Sequence, residues 1–166
     1  MANNLPIEYQ EVKYLQSSGT QFIDTGVKNT ANDSYEIEFI PLIVNDTQRY
    51  FGGLGSTTGI GLGLRNDGNI MVFVGTWNYP TNIKPTINQK IKVEYRSGSG
   101  WYLDNTLIDN DASSTTENSQ NIILFSVSYN NQKYYPSSMK LYSYKHKDQS
   151  GNLIRNMIPS SSHLLL

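Results

Sequence analysis

Wherever this chain shows a side-chain period, the period is almost always two. "SYEIEFIPLIV" sets Tyr35, Ile37 and Phe39 on one face and Glu36 and Glu38 on the other, and "KIKVEYRS" does the same with Ile91, Val93 and Tyr95. That is the pattern of a strand with one face buried and one wet. "EVKYLQS" and "TQFIDTG" alternate in the same way, and "NIILFSVS" is apolar enough to be buried on both faces. "MKLYSYKHK" reads with Met139 and Leu141 on one face and Lys140, Tyr142 and Tyr144 on the other. Turn signals separate these runs: Ser18-Gly19, Asn66-Asp67-Gly68, "SGSG" ending at Gly100, and Asp104-Asn105. No stretch concentrates helix formers, while 12 Tyr and 13 Gly suit strands and tight turns. About a dozen short strands with turns between them predict an all-β, antiparallel two-sheet sandwich, a jelly roll or a relative of it.

A chain of 166 residues is one domain's worth. The sandwich is expected over residues 1–159, with 160–166 as a C-terminal tail, and the polar run from Asn110 to Gln120 is a loop within it. The net charge of −1 and the lack of a basic block argue against nucleic acid as a partner. No apolar run approaches a membrane span, and "MANNLPIEYQ" has neither the charged start nor the apolar centre of a signal peptide. Cysteine is absent, which removes disulfides and thiolate zinc sites.

The opening "LPIEYQEVKYLQSSGTQFIDTG" resembles the start of concanavalin A-like, laminin-G-like jelly-roll domains of bacteriophage tail and gut-bacterial surface proteins. The matching positions are Leu5, Pro6, Tyr9, Tyr14 and the run Ser18 to Gly26. Near the end, "KLYSYKHKDQSGNLIRNMIP" is similar to the family's Lys-Leu-Tyr-Ser strand followed by Gly-x-Leu-x-Arg and a proline. Here these are Lys140 to Ser143, Gly151, Leu153, Arg155 and Pro159, and "YFGG" at Tyr50 to Gly53 fits the middle. Such domains usually continue past the proline into a glycine-rich segment, whereas this sequence stops at "HLLL". The resemblance implies the concanavalin A-like lectin/glucanase type of jelly roll, and a carbohydrate-binding or structural module on a virion or cell surface. The same sandwich also carries hydrolases, so fold alone does not decide.

Catalytic chemistry finds little footing in the residues. A glycosidase needs two carboxyl groups roughly 5–10 Å apart. Glu36 and Glu38 have that local spacing, but the third acid of the Glu-x-Asp-x-(x)-Glu strand found in laminarinase-type hydrolases is missing. Asp24 and Asp67 are the remaining acids to consider. No Gly-x-Ser-x-Gly occurs, and "GGLGSTTGIGLG" is followed by strands rather than by the helix a phosphate cradle needs. "DNTLIDND" (Asp104 to Asp111) and "RNDG" carry oxygens that calcium could use, and they equally have the composition of plain turns. His146 and His163 are far apart and unaccompanied, so no cofactor is expected.

The binding surface is expected in the middle of the chain. In "GIGLGLR", Ile60, Leu62 and Leu64 share one face, which leaves Gly59, Gly61, Gly63 and Arg65 on the other. Strand glycine marks close approach of a ligand or another backbone. Met71 and Phe73 would look out beside this glycine floor, and "GTWNYP" would add Trp77, Asn78 and Tyr79 at its end. Sugars stack on aromatic rings and are oriented by polar neighbours. The expected carbohydrate contacts are therefore Trp77, Tyr79, Phe73, Tyr50, Arg65 and Asn78, with Trp101 structural and Asp24 holding a turn. The function expected is a non-enzymatic, lectin-like module that binds cell-surface or cell-wall glycan. The alternatives are an assembly domain that binds protein or a second copy of itself, and a glycoside hydrolase.

Overall fold

The computed structural model describes residues 9–162 apart from 45, 56–57, 79–81 and 111–116; the side chains of 9–10, 76–78 and 161–162 also lie outside the description. The strands in chain order are β1 (Tyr9–Glu11), β2 (Leu15–Ser18), β3 (Ile23–Lys28), β4 (Ser34–Pro41), β5 (Gln48–Leu54), β6 (Gly59–Leu64), β7 (Ile70–Val74), β8 (Thr76–Asn78), β9 (Ile91–Arg96), β10 (Gly100–Leu103) and β11 (Thr106–Asp109). They continue with β12 (Asn121–Leu124), β13 (Val127–Tyr129), β14 (Gln132–Tyr134), β15 (Ser138–Lys147), β16 (Leu153–Met157) and β17 (Ser160–Ser162). No helix occurs among the described residues. One sheet runs β11-β10-β9-β4-β15-β16, with β2 also on β15. The other runs β14-β13-β5-β6-β7-β8, with β12 joining β5 and β3. All pairs are antiparallel except β13 with β5. Ser160 to Ser162, assigned to the tail by the sequence reading, pair with β1.

The alternation of β4 is realised residue by residue. Tyr35, Ile37 and Phe39 are buried, while Glu36 and Glu38 face outward. Ile91, Val93 and Tyr95 of β9 continue the inner face, and Ile60, Leu62, Leu64, Ile70, Val72 and Val74 meet it from the other sheet. Burying each such side chain contributes about 1.5–3 kcal/mol, so this layer dominates the stability. Trp101 is buried against Tyr95 and Phe51, as its hairpin position predicts. The expected turns form as well. Asp104 and Asn105 both take positive φ, and Gly68 closes the β6–β7 turn.

Two bulges overturn expectations. Between Leu141 and Ser143 the register against β4 shifts by one, so Leu141 opposes Phe39 and Ser143 opposes Glu38. Tyr144 therefore points into the core, not outward with Tyr142, and His146 follows it. A second shift lies between Arg49 and Phe51. It turns Tyr50 and Phe51 both inward, where Tyr50 packs on Phe39 with ring centroids 4.3 Å apart.

Candidate functional site

The expected glycine floor exists, but the chain's own side chains cover it. A Cβ on Gly61 would collide with the outer edge of the Phe73 ring, one on Gly63 would meet the Arg49 stem and the Gln48 carbonyl, and one on Gly59 would meet Leu54. The close approach that these glycines permit is thus internal. Met71 and Phe73 do leave the main core, but Val127, Leu54 and Tyr134 close over them, and Phe73 is 1% exposed. Phe73 is a lid on the sheet rather than a platform for sugar. Tyr50 is fully buried and cannot touch a ligand. Arg65 is exposed and faces Asp67 at 3.6 Å beside the β6–β7 turn. Trp77 and Asn78 lie on β8, where Trp77 pairs with Phe73 through the backbone, but their side chains are outside the described residues, as is all of Tyr79. Of the expected contacts that the described residues include with their side chains, Tyr50 and Phe73 are buried within the chain and Arg65 lies at a surface turn.

A different set of residues is brought together at the edge of the second sheet. Asp24 of β3, Asn121 and Ile123 of β12, Ser128 of β13, Ser119, Gln120, Asn131 and Lys133 line a cavity of about 160 Å³. Strand alternation turns Asp24 outward while Thr25 is buried with its hydroxyl on the Ile122 carbonyl at 2.9 Å. One Asp24 oxygen accepts from the Gly26 amide at 2.8 Å and from the Asn121 side-chain amide at 3.0 Å. The first of these bonds is the turn-holding role expected of Asp24. On the far wall, Gln120 accepts from the Asn131 backbone at 3.0 Å, and the Ser128 hydroxyl donates to the Asn121 carbonyl. Asn130 and Asn131 both take positive φ, which makes the tight β13–β14 turn. Phe22, just before β3, is 49% exposed, and the ammonium of the cavity-lining Lys133 lies 4.9 Å from its ring centroid. Gln21 holds the preceding turn by accepting from the Ser18 amide and the Ser17 hydroxyl, which fixes where Phe22 emerges. Amide, hydroxyl, carboxylate and ammonium groups converge beside an open ring, and such a set can hydrogen-bond hydroxyl groups while stacking an apolar face.

The chain folds as an all-β, two-sheet jelly-roll sandwich. A native heptameric SAP-like pentraxin from Limulus polyphemus superposes with a TM-score of 0.51 at 12% identity, over 91% of this chain and 80% of the pentraxin. Full-length tailspike protein 2 of Escherichia coli O157:H7 bacteriophage CAB120 aligns with a TM-score of 0.46 at 12% identity, over 93% of this chain. The chain spans 30% of that tailspike's length. No family model matches the sequence, and no curated protein is similar to it.

Glu36, Glu94, Asp104 and Asp67 are held by other partners. Glu36 stands opposite Glu94 on β9 and opposite Lys145 on β15, so the second carboxyl comes from a neighbouring strand, which strand periodicity alone could not reveal. Lys145 lies 2.6 Å from Glu36, and Lys92 bridges Glu36 and Glu94 at 3.2 and 2.9 Å. Burial pushes the Glu36 carboxyl up, but these two ammonium groups outweigh it and hold it below its usual range. A general acid needs the reverse shift. Asp104 accepts from the Lys92 amide and so ties the β10–β11 turn to β9, and Asp67 accepts from the Asn69 amide within its own turn. Among the described residues, no three His, Asp or Glu side chains cluster as a metal site.

Proposed function

We propose that this chain is a non-enzymatic, lectin-like module that binds a cell-surface or cell-wall glycan in the pocket between Asp24 and Lys133, on a virion or a bacterial surface. The observation that carries this reading is the convergence of polar side chains beside the exposed Phe22 ring. The pocket is small and open, so each site binds weakly, and useful affinity comes from several copies acting together. Glycan-array binding tests it. Phe22→Ala and Lys133→Ala should each lower binding at least tenfold with an unchanged melting temperature, because both side chains are exposed. Trp77→Ala is the comparison variant. If Trp77→Ala abolishes binding while Phe22→Ala does not, the pocket is not the site.

A second reading, an assembly domain, is favoured by β16. It pairs only with β15 among the described residues, and Leu153 and Ile154 are exposed on its two faces. Such an edge can accept another strand. Self-association that Ile154→Lys abolishes, together with no glycan bound by the wild type, would favour assembly over recognition.

A further inference from the structure

The outer face of the first sheet carries a cleft of about 250 Å³ at the ends of β4, β9 and β15. Two rows of side chains cross these three strands there. In the inner row Glu94, Glu36 and Lys145 stand side by side. Every acid of that row is paired: Glu36 with Lys145 and Lys92, and Glu94 with Lys92 and with Arg96 at 2.6 Å. In the outer row the middle position is Ser34. Lys147 lies opposite it on β15, and Arg96 flanks it on β9, one residue beyond the Tyr35–Tyr95 pair. Two strand spacings separate these cations, roughly 9–10 Å at the backbone, and a small hydroxyl sits between them. Around the cleft two anions therefore face four cations.

The outer row has no anion of its own. The Lys147 side chain is exposed and has no hydrogen-bond or ion-pair partner among the described residues. The adjacent Asp148 carboxylate is occupied by its own turn, accepting from the Ser150 and Asn152 amides and the Asn152 side chain. Arg96 is held in place, stacked 4.1 Å over the Tyr102 ring and bonded to Glu94 and the Asn105 side-chain oxygen, so its fork is preorganised at the cleft wall. The Ser34 hydroxyl accepts from the Ser97 amide, which leaves its own hydrogen to donate. A guanidinium on one side, an ammonium on the other and a hydroxyl donor at the floor match a carboxylate.

We propose that this cleft is a second binding site and takes the carboxylate of an acidic sugar, seated over Ser34 between Arg96 and Lys147. The carboxylate is inferred from the cleft itself; that a glycan carries it rests on the function proposed above. Titration calorimetry with oligogalacturonate, with its fully methyl-esterified form and with polyglutamate tests the site, and the Ser97 amide resonance reports its occupancy. The acid form should bind, shift the Ser97 amide and weaken as salt rises. Lys147→Gln should lower that affinity at least tenfold, while Lys84→Gln, which removes an exposed charge beside the β6–β7 turn of the other sheet, leaves it unchanged. The site is overturned if Lys147→Gln binds oligogalacturonate as the wild type does, or if the methyl ester binds equally well. Preference for polyglutamate over oligogalacturonate would overturn the sugar as carrier. Because Phe22 lies on the other sheet's edge, failure of the pocket shows in the Phe22 variant and failure of the cleft in the Lys147 variant.

Discussion

Gly61 has no side chain because the Phe73 ring occupies the space where one would lie. Phe73 cannot retreat, since it is packed in a cluster with Met71 and Val127 and is almost wholly buried. Gly61→Ala should therefore cost about 1–3 kcal/mol, the usual penalty of forcing extra volume into a packed site. In urea this appears as a lower midpoint with an unchanged slope. Phe73→Leu gives the added methyl room, so the double variant should be more stable than the sum of the two single losses predicts. Strict additivity would mean that the ring and the glycine do not meet.

At the scale of the strand, β15 depends on one extra residue. The bulge after Leu141 lets Met139 and Leu141, and then Tyr144 and His146, all face inward. Deleting Tyr142 removes the extra residue and keeps the same inward set. It loses only the outer contacts of that ring with Tyr14 and Lys90, so the loss should stay within about 2 kcal/mol. Deleting Lys145 instead turns His146 outward and takes its ring away from the buried Asp33 carboxylate, a cost of about 3–5 kcal/mol. Thermal unfolding of the two deletions distinguishes them, and equal damage would show that the bulge does not set the register. This strand also shows what the sequence makes legible. The phases of β4, β6, β7 and β9 follow from alternation, because one face of each meets the core. The bulges at Tyr142 and Tyr50 do not, because a bulge is a mismatch with the partner strand and leaves the local pattern looking regular. The glycines of β6 announce close approach without saying to what, so Phe73 could be read as a platform when it is the occupant. The pocket escaped for a different reason. Asp24 and Asn121 are 97 positions apart, and only the β3–β12 pairing brings them together. The "YNNQK" turn was the one local signal beside it.

For the whole molecule, the buried ionisable groups bound the pH range of stability on both sides. Asp33 is fully buried, and burial alone raises its pKa. The His146 ring nitrogen at 2.7 Å, the Thr30 amide at 2.6 Å and the Thr30 hydroxyl at 2.7 Å outweigh that and hold it below 3.8. Glu36 is lowered in the same sense, beneath its ordinary 4.5. With folded values depressed, the unfolded chain binds more protons in the acid range, so stability rises with pH there. The contribution is complete above the unfolded values and is lost as pH falls through the folded ones, which places the acid limb below about pH 4. On the alkaline side burial raises Tyr35, Tyr50 and Tyr144 above the ordinary 10.0. Above that value the unfolded chain gives up phenol protons that the folded chain keeps, so stability falls with rising pH. Urea midpoints measured from pH 3 to pH 11 should trace a plateau with two falling limbs. Asp33→Asn should lower the plateau and flatten the acid limb. Tyr50→Phe removes a buried hydroxyl that has no hydrogen-bond partner, so it should leave the plateau level or raise it while flattening the alkaline limb. An alkaline limb equally steep in Tyr50→Phe, Tyr144→Phe and the wild type would mean that the buried phenols do not set the upper bound.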